Sequence, residues 1–187
     1  MDIHTDSKII RLDDLSFINY ISEEEILSKV KEIADQISEE YRDKNPIFLV
    51  VMNGAFIYAA DLIRHFDFPC ELSFVRIKSY HGTESSGTID IYMPPGIELC
   101  GRHVVIIEDI IDTGTTMAEF IPVCSNYQPA SIKLSSILIK PEAHKVEIKT
   151  DFPGFFIPNK FVVGYGLDYN GQGRNLRDIY QLYGGVS

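Results

Sequence analysis

Two short runs of uninterrupted apolar residues constrain the fold of this chain more than any other feature. The runs are Ile47–Met52 and residues 104–107, and both are far too short to span a membrane. Runs of this length that are rich in β-branched residues are typical of parallel strands buried on both faces. Helical periodicity over residues 22–41 and 55–66 alternates with them. We therefore predict an α/β fold with a central, mostly parallel sheet flanked by helices.

The charge balance and the cysteine content exclude several classes of function. The 187 residues include 17 Lys and Arg against 27 Asp and Glu, which gives a net charge of −10. Electrostatic binding to nucleic acid or to an anionic membrane needs a basic face, so we expect neither partner. The three cysteines form no CxxC pair, which argues against disulfides and a zinc site. The N-terminus lacks the features of a signal peptide, and the sequence predicts a cytoplasmic protein of one domain, residues 1–187.

Further elements extend the alternation of strands and helices. The sequence predicts strands over residues 71–80, 132–139 and 161–165. It also predicts a helix from residue 113 to about 127, which Pro122 should kink or shorten. Residues 81–96 are polar and rich in Gly and Pro. We expect a loop there, and loops of this length in compact domains are often lids.

Residues 104–116 carry the strongest chemical signal. A buried strand is predicted to end in Glu108 and Asp109, and a turn of small residues then leads into a helix. The free N–H groups and the dipole of a helix start attract anions. Gly114 lets a phosphate approach the backbone, and further donors are the hydroxyls of Thr113, Thr115 and Thr116. The segment therefore indicates a phosphate site.

Carboxylates beside a phosphate site need an explanation, because they repel the phosphate. Glu108 and Asp109 become favourable if they hold Mg²⁺ or hydrogen-bond a sugar diol, and Asp112 inside the turn could take a proton. The alternative is a solvated strand end, a polar turn and an ordinary helix cap. The chain contains neither GxxxxGK[ST] nor GxGxxG after a strand, so a P-loop or Rossmann nucleotide site is a poor interpretation.

Three separated motifs give the chain a family resemblance. Residues 106–116, IIEDIIDTGTT, resemble the phosphoribosyl-pyrophosphate (PRPP) motif of type I phosphoribosyltransferases. Residues 74–80, FVRIKSY, are similar to the start of the mobile loop in hypoxanthine-guanine phosphoribosyltransferases, and residues 160–170, KFVVGYGLDYN, to that family's purine site. The resemblance covers residues 47–176. It implies the type I phosphoribosyltransferase fold, with a core of about 22–165 and a small hood from about 1–21 and 166–187.

The resemblance implies a purine salvage enzyme. Members of the family transfer the 5-phosphoribosyl group from PRPP to hypoxanthine or guanine and release pyrophosphate, with Mg²⁺ as cofactor. Carried over to this chain, Asp112 would be the catalytic acid/base group. Glu108 and Asp109 would hold the ribose hydroxyls and support Mg²⁺. The 5′-phosphate would lie on the backbone and hydroxyls of Thr113, Gly114, Thr115 and Thr116.

The same resemblance divides the remaining site residues between purine and pyrophosphate. Lys140 would donate to O6 of the purine, and Phe161 would stack on its face. Backbone groups of Val162 and Asp168 would contact the edge of the base, and Asp168 would also help to bind Mg²⁺. The pyrophosphate side and the lid would comprise Asn53, Gly54, Arg76, Ser79, Tyr80 and Arg174.

The chain departs from the family pattern at two positions. Many relatives carry lysine where this chain has Asn53 and Thr115, so two cationic contacts to phosphate groups are replaced. The resemblance also implies a non-proline cis peptide bond between Met52 and Asn53. Family members are commonly dimers or tetramers, which implies a homodimer or homotetramer.

Two other functions stay open at this point. One is a phosphoribosyltransferase for another base, xanthine or a pyrimidine, although Lys140 and Phe161 argue against a pyrimidine. The other is a non-catalytic regulator that binds PRPP and nucleic acid, against which the net charge of −10 weighs.

Overall fold

The computed structural model describes residues 8–79 and 89–184. Its three helices in this part of the chain are α1 (Glu23–Tyr41), α2 (Phe56–Ile63) and α3 (Thr115–Ser125). None of them combines the length and the hydropathy that crossing a bilayer needs. Tyr80, expected in the lid, lies outside the described residues, as does the first half of the expected loop, residues 81–88.

Helix α1 confirms the first predicted helix and begins where its sequence indicates. The Glu25 N–H donates to Oγ of Ser22 at 3.3 Å, and the Ser22 N–H donates to Oε2 of Glu25 at 2.9 Å. This reciprocal capping box satisfies two of the backbone donors that a helix start leaves without partners. The buried face repeats at helical spacing and comprises Ile26, Val30, Ile33, Ala34, Ile37 and Tyr41.

Six strands form the larger sheet, in the spatial order β5-β4-β3-β6-β7-β8. Five of them are parallel, and β5 is an antiparallel edge strand. Their bounds are β3 (Ile47–Met52), β4 (Glu71–Ser79), β5 (Ile89–Tyr92), β6 (His103–Ile111), β7 (Ser131–Ile139) and β8 (Phe152–Phe156).

Helices cover both faces of this sheet, as the apolar runs predict. Phe48 and Val50 face α1 and α2 in one buried cluster. Ile47, Leu49 and Val51, which alternate with them, face α3 in a second cluster. A strand that buries both sets of side chains must be apolar at every position, which explains the uninterrupted run.

A second, antiparallel sheet of four strands has the order β1-β2-β10-β9. Its strands are β1 (Ile9–Leu12), β2 (Leu15–Ile21), β9 (Val162–Val163) and β10 (Ile179–Leu182). It joins residues from both ends of the chain, as expected for the hood. Strand β9, which the sequence places in the core part, also belongs to this sheet.

Four details differ from the sequence-based expectations. Strand β6 continues through Glu108 and Asp109 to Ile111, because it keeps its pairing with β7 as far as Ile139. The expected strand over 161–165 is reduced to β9, because Gly164, Tyr165 and Gly166 have φ values of 100°, 50° and 101°. Part of the expected 81–96 loop is β5. Helix α3 includes Pro122 and ends at Ser125, earlier than predicted.

Candidate active site

A cavity of about 470 Å³ lies at the carboxyl edge of the larger sheet, where β3 and β6 end. Ligands of open α/β sheets bind at this edge. Most of the site residues predicted from the sequence line this cavity, and they come from three segments that are distant in sequence. They are Gly54, Glu108, Asp109, Asp112, Thr113, Gly114, Thr116, Asp168 and Arg174. Apolar lining residues that the motifs did not indicate include Ile77, Ile110 and Met117.

The turn that precedes α3 has the geometry of an anion site. Gly114 is the N-cap and has φ = 79°, a left-handed conformation that favours glycine. A Cβ here would lie 3.0 Å from Cγ1 of Ile148 and 3.1 Å from the carbonyl oxygen of Val146. Gly114, Thr116 and Met117 line the cavity, so the first turn of α3 lies at its wall. The first N–H groups of a helix have no intrahelical partner and can bind an anion.

The hydroxyls of Thr113 and Thr115 lie 2.7 Å apart and share a hydrogen bond. Thr113 and Thr116 line the cavity, whereas Thr115 is exposed and lies outside its described lining. The side chain of Thr115 thus acts here as a partner of Thr113. The Thr115 N–H also donates to Oγ1 of Thr113, at 3.4 Å.

Glu108 is a buried carboxylate in the middle of a strand. Its residue is 8% exposed, and its Oε2 has no hydrogen-bond partner among the described residues. Burial raises the pKa of Glu108 well above its usual range, and the neighbouring Asp109 carboxylate raises it further. A buried carboxylate without a partner is costly, so this oxygen is suited to a cation or to a hydroxyl donor from a ligand.

Asp109 lies against a loop that has no room for side chains. A Cβ at Gly54 would fall 1.6 Å from Oδ2 of Asp109, and a Cβ at Gly166 would fall 2.1 Å from the carbonyl oxygen of Gly54. The peptide bond between Met52 and Asn53 is cis, as expected. The Asp109 carboxylate therefore packs on the backbone at Gly54, and that backbone packs in turn on the segment after β9 at Gly166. Asn53 itself is exposed and lies outside the described lining of the cavity.

Asp112 and Lys140 form an ion pair beside the cavity. Nζ of Lys140 lies 2.9 Å from Oδ2 of Asp112. The two residues follow the ends of adjacent strands, and the Lys140 N–H donates to the carbonyl oxygen of Ile111 at 2.9 Å. Lys140 is 5% exposed, whereas the Asp112 side chain is 49% exposed. The buried ammonium is thus held against a carboxylate that a ligand can still reach.

Asp168 and Arg174 form a second ion pair, and both line the cavity together with Glu108 and Asp109. Nη2 of Arg174 lies 2.5 Å from Oδ1 of Asp168, and Nη1 donates to the carbonyl oxygen of Gly166 at 2.7 Å. Oδ2 of Asp168 also accepts the Gly171 N–H at 2.7 Å. The arginine is therefore fixed from two sides, with its charge at the cavity wall.

Phe161 and Val162 lie beyond the described cavity lining, in the smaller sheet. Val162 is buried in β9, and Phe161, just before it, is 42% exposed. The Phe161 ring packs edge-on against Tyr169, with centroids 5.9 Å apart and planes at 79°. It also lies 6.1 Å from the Phe17 ring. One face of Phe161 is supported by protein while the side chain stays accessible.

Sequence comparison shows to which family the chain is related. The phosphoribosyl transferase domain matches residues 19–170. The chain is 43% identical to the hypoxanthine-guanine phosphoribosyltransferase of Lactococcus lactis, over 83% of this chain and 85% of that protein. It is 44% identical to the enzyme of the same name from Bacillus subtilis, over 83% and 87%.

Solved structures agree. The chain is similar to the hypoxanthine phosphoribosyltransferase of Staphylococcus aureus, with a TM-score of 0.83 at 34% identity over 88% of this chain and 90% of that one. It is similar to that of Trypanosoma cruzi, with a TM-score of 0.84 at 34% identity over 93% and 95%. The chain belongs to the hypoxanthine-guanine phosphoribosyltransferase family. The type I phosphoribosyltransferase fold predicted from the sequence is confirmed.

The pyrophosphate side of this phosphoribosyltransferase is only partly described. Arg76 lies in β4 opposite Met52 in the parallel register, is exposed, and stands outside the described cavity lining. Ser79 is the last residue of β4, and Tyr80 lies outside the described residues. Gly54 and Arg174 are the members of the predicted set that the structure brings to the cavity.

Proposed function

We propose that this phosphoribosyltransferase transfers the 5-phosphoribosyl group of PRPP to a 6-oxopurine, hypoxanthine or guanine, and yields IMP or GMP with pyrophosphate. The observation that carries the proposal is the Lys140–Asp112 pair at 2.9 Å, adjacent to the anion-binding turn at Gly114. A donor and a proton acceptor for a base thus lie next to a seat for a phosphate. The names of the relatives support the same substrates.

The phosphate and ribose groups of PRPP fit the β6–α3 side of the cavity. The 5′-phosphate would accept hydrogen bonds from the backbone N–H groups after Gly114 and from the Thr113 and Thr116 hydroxyls. The ribose hydroxyls would donate to Glu108 and Asp109, and the orphaned Oε2 of Glu108 supports this assignment. Arg174, which also lines the cavity, would meet the pyrophosphate.

The purine would bind between Phe161 and the Lys140–Asp112 pair. In the reaction a bond forms between N9 of the purine and C1′ of the ribose, while the bond from C1′ to the pyrophosphate oxygen breaks. The base loses its proton from N7, and the Asp112 carboxylate would accept it. Lys140 would donate to O6 and stabilise the negative charge that moves toward O6 as the proton leaves.

The same lysine explains selection of a 6-oxopurine. Because Lys140 is buried and can only donate, an amino group at C6 would place a donor against a donor. Such a mismatch leaves the amino group facing a donor instead of an acceptor, and polar mismatches of this kind give strong discrimination. Adenine is therefore an expected non-substrate.

The residues of the cavity fit Mg²⁺ bound together with the substrate. Among residues 8–79 and 89–184 no group of three or more His, Cys, Asp or Glu is arranged to hold a metal alone. Mg²⁺ commonly takes one or two carboxylates and completes its shell with water and substrate phosphates. Glu108, Asp109 and Asp168, which all line the cavity, would supply the carboxylates. Bound Mg²⁺ would neutralise the pyrophosphate as it leaves.

The remaining proposals concern assembly and compartment. We expect a homodimer or homotetramer, no nucleic-acid partner and no membrane partner. A cytoplasmic location is supported by Cys70, Cys100 and Cys124, which are all free thiols.

The direct test of the reaction is its stoichiometry. The protein is incubated with PRPP, Mg²⁺ and hypoxanthine, and IMP and pyrophosphate are quantified separately. The two products are expected to appear one to one. Binding of PRPP without formation of either product would reject catalysis and favour a regulator.

A further inference from the structure

Two tight turns, one in the smaller sheet and one after β9, contact each other at a point that the proposed mechanism does not use. The first, here called the acidic turn, is Asp13 and Asp14 between β1 and β2, whose flanking residues Leu12 and Leu15 are paired. The second is the turn formed by residues 169–172. Tyr169 and Gln172 exchange backbone hydrogen bonds of 2.9 Å in both directions, and the central Asn170 and Gly171 have φ of 51° and 82°.

Three side-chain hydrogen bonds join the two turns. Oδ1 of Asp14 accepts from the Tyr169 hydroxyl at 2.8 Å. Asp13 accepts from Nε2 of Gln172 at 2.7 Å and from Nδ2 of Asn170 at 3.2 Å. The bond to Asp14 raises the pKa of Tyr169 above its usual value, so the hydroxyl stays a donor. Two rigid turns that are far apart in sequence are thus held in one arrangement.

The 169–172 turn contacts two residues that the proposed function assigns to the substrates, Asp168 and Phe161. On one side the Gly171 N–H donates to Oδ2 of Asp168 at 2.7 Å. On the other side the Tyr169 ring supports Phe161 edge-on, with centroids 5.9 Å apart. Tyr169 is therefore bonded at its hydroxyl to Asp14 and packed at its ring against the aromatic side chain assigned to the base.

We infer that the acidic turn is a positioning element for purine binding, in which Asp14 orients Tyr169 and thereby fixes the Phe161 ring. Asp13 holds the same turn through Asn170 and Gln172, and so steadies the Gly171 N–H that fixes Asp168. The inference rests on the proposed function, because it assigns Phe161 to the base. Neither aspartate is expected to touch a substrate.

The hydrogen bonds between the two turns lie outside the hydrophobic core, so their effect on the site can be measured apart from their effect on folding. The acidic turn is exposed, and the core of the large sheet contains none of its residues. Exposed hydrogen bonds contribute little to global stability. Loss of the Asp14–Tyr169 bond should therefore change the binding of the base more than the stability of the fold.

The test compares Asp14→Ala, Tyr169→Phe and the double variant in full-length protein. Each single variant is expected to raise the KM for hypoxanthine about fivefold, with the KM for PRPP and kcat unchanged and Tm within about 2 °C of the wild type. The double variant should be no worse than either single variant, because both remove the same bond. Asp13→Ala should act in the same direction.

Tyr183→Phe is the matched control. Tyr183 follows β10 in the same sheet, is 53% exposed, and its hydroxyl has no partner in the described part of the chain. It should keep the wild-type KM for hypoxanthine. If the wild type is active and Asp14→Ala and Tyr169→Phe keep its KM for hypoxanthine, the inference is overturned but the proposed function is not. The same holds if these variants change the KM of both substrates equally. A wild type inactive with every base overturns the proposed function and this inference with it.

Discussion

The Lys140 ammonium lies 2.9 Å from the Asp112 carboxylate because β6 and β7 end side by side. O6 and N7 of a 6-oxopurine are neighbours on the ring, so one base can reach both groups together. The proposed donor to O6 and the proposed acceptor at N7 are thus already adjacent before a base binds. Preorganisation of this kind lowers the reorganisation needed in the transition state.

Asp112→Asn should lower kcat by about 10²–10⁴-fold, the usual contribution of a general acid or base. The KM for PRPP should change little, since the phosphate turn and Glu108 remain. Steady-state kinetics with hypoxanthine tests this. Asp67→Asn, an exposed carboxylate before β4 at the opposite edge of the sheet, is the control. An unaltered kcat with chemistry rate-limiting would remove Asp112 from its role.

Lys140→Met keeps an unbranched side chain at a buried position but removes the charge. The kcat/KM for hypoxanthine should fall about 10- to 100-fold, because a charged donor is lost, and discrimination against adenine should shrink. Lys133→Met is a control on the same strand, where the lysine pairs with Glu40 instead. If Lys140→Met still discriminates against adenine as the wild type does, a residue other than Lys140 recognises O6.

Gly54→Ala should abolish most activity, because its Cβ would fall 1.6 Å from Oδ2 of Asp109 and displace that carboxylate. The comparison is Gly154→Ala, whose Cβ would fall 2.2 Å from the carbonyl oxygen of Ile137, outside the described cavity lining. Both changes should lower Tm. Only Gly54→Ala should also raise the KM for PRPP, and equal kinetic effects would contradict this.

The sequence predicts much of the fold because local signals agree with burial. The capping box and periodicity define α1, and the uninterrupted apolar run defines β3. The sequence does not indicate β8, because Pro153 and Gly154 are unfavourable in the interior of a sheet. Proline is tolerated there because β8 is an edge strand. The sequence predicts an end of β6 at Asp109, which is too early. Pairing with β7, rather than the polarity of the side chains, decides where that strand ends.

The candidate site was predictable where a motif is contiguous. Residues 108–114 and Thr116 line one cavity, whereas Thr115 lies outside its described lining. The bond from Asp14 to Tyr169 joins residues 155 positions apart, and no local pattern signals such a contact. The apolar lining by Ile77 and Met117 depends likewise on how β4 and α3 pack.

Removal of divalent metal should abolish transfer. The proposed phosphate seat offers backbone N–H groups and few cations, because Asn53 and Thr115 are uncharged. Excess chelator is expected to lower the rate more than about 100-fold, and added Mg²⁺ should restore it. Full activity in excess chelator would contradict the proposed role of Glu108, Asp109 and Asp168.

A base panel tests the central claim most directly. Hypoxanthine, guanine, xanthine, adenine and uracil are each incubated with PRPP, Mg²⁺ and the wild-type protein, and kcat/KM is measured from nucleotide formation. Xanthine is included because it also carries an oxo group at C6. We predict rapid transfer to hypoxanthine or guanine and none detectable to adenine or uracil. Preferential use of adenine or uracil, or no turnover of any 6-oxopurine, would contradict the account.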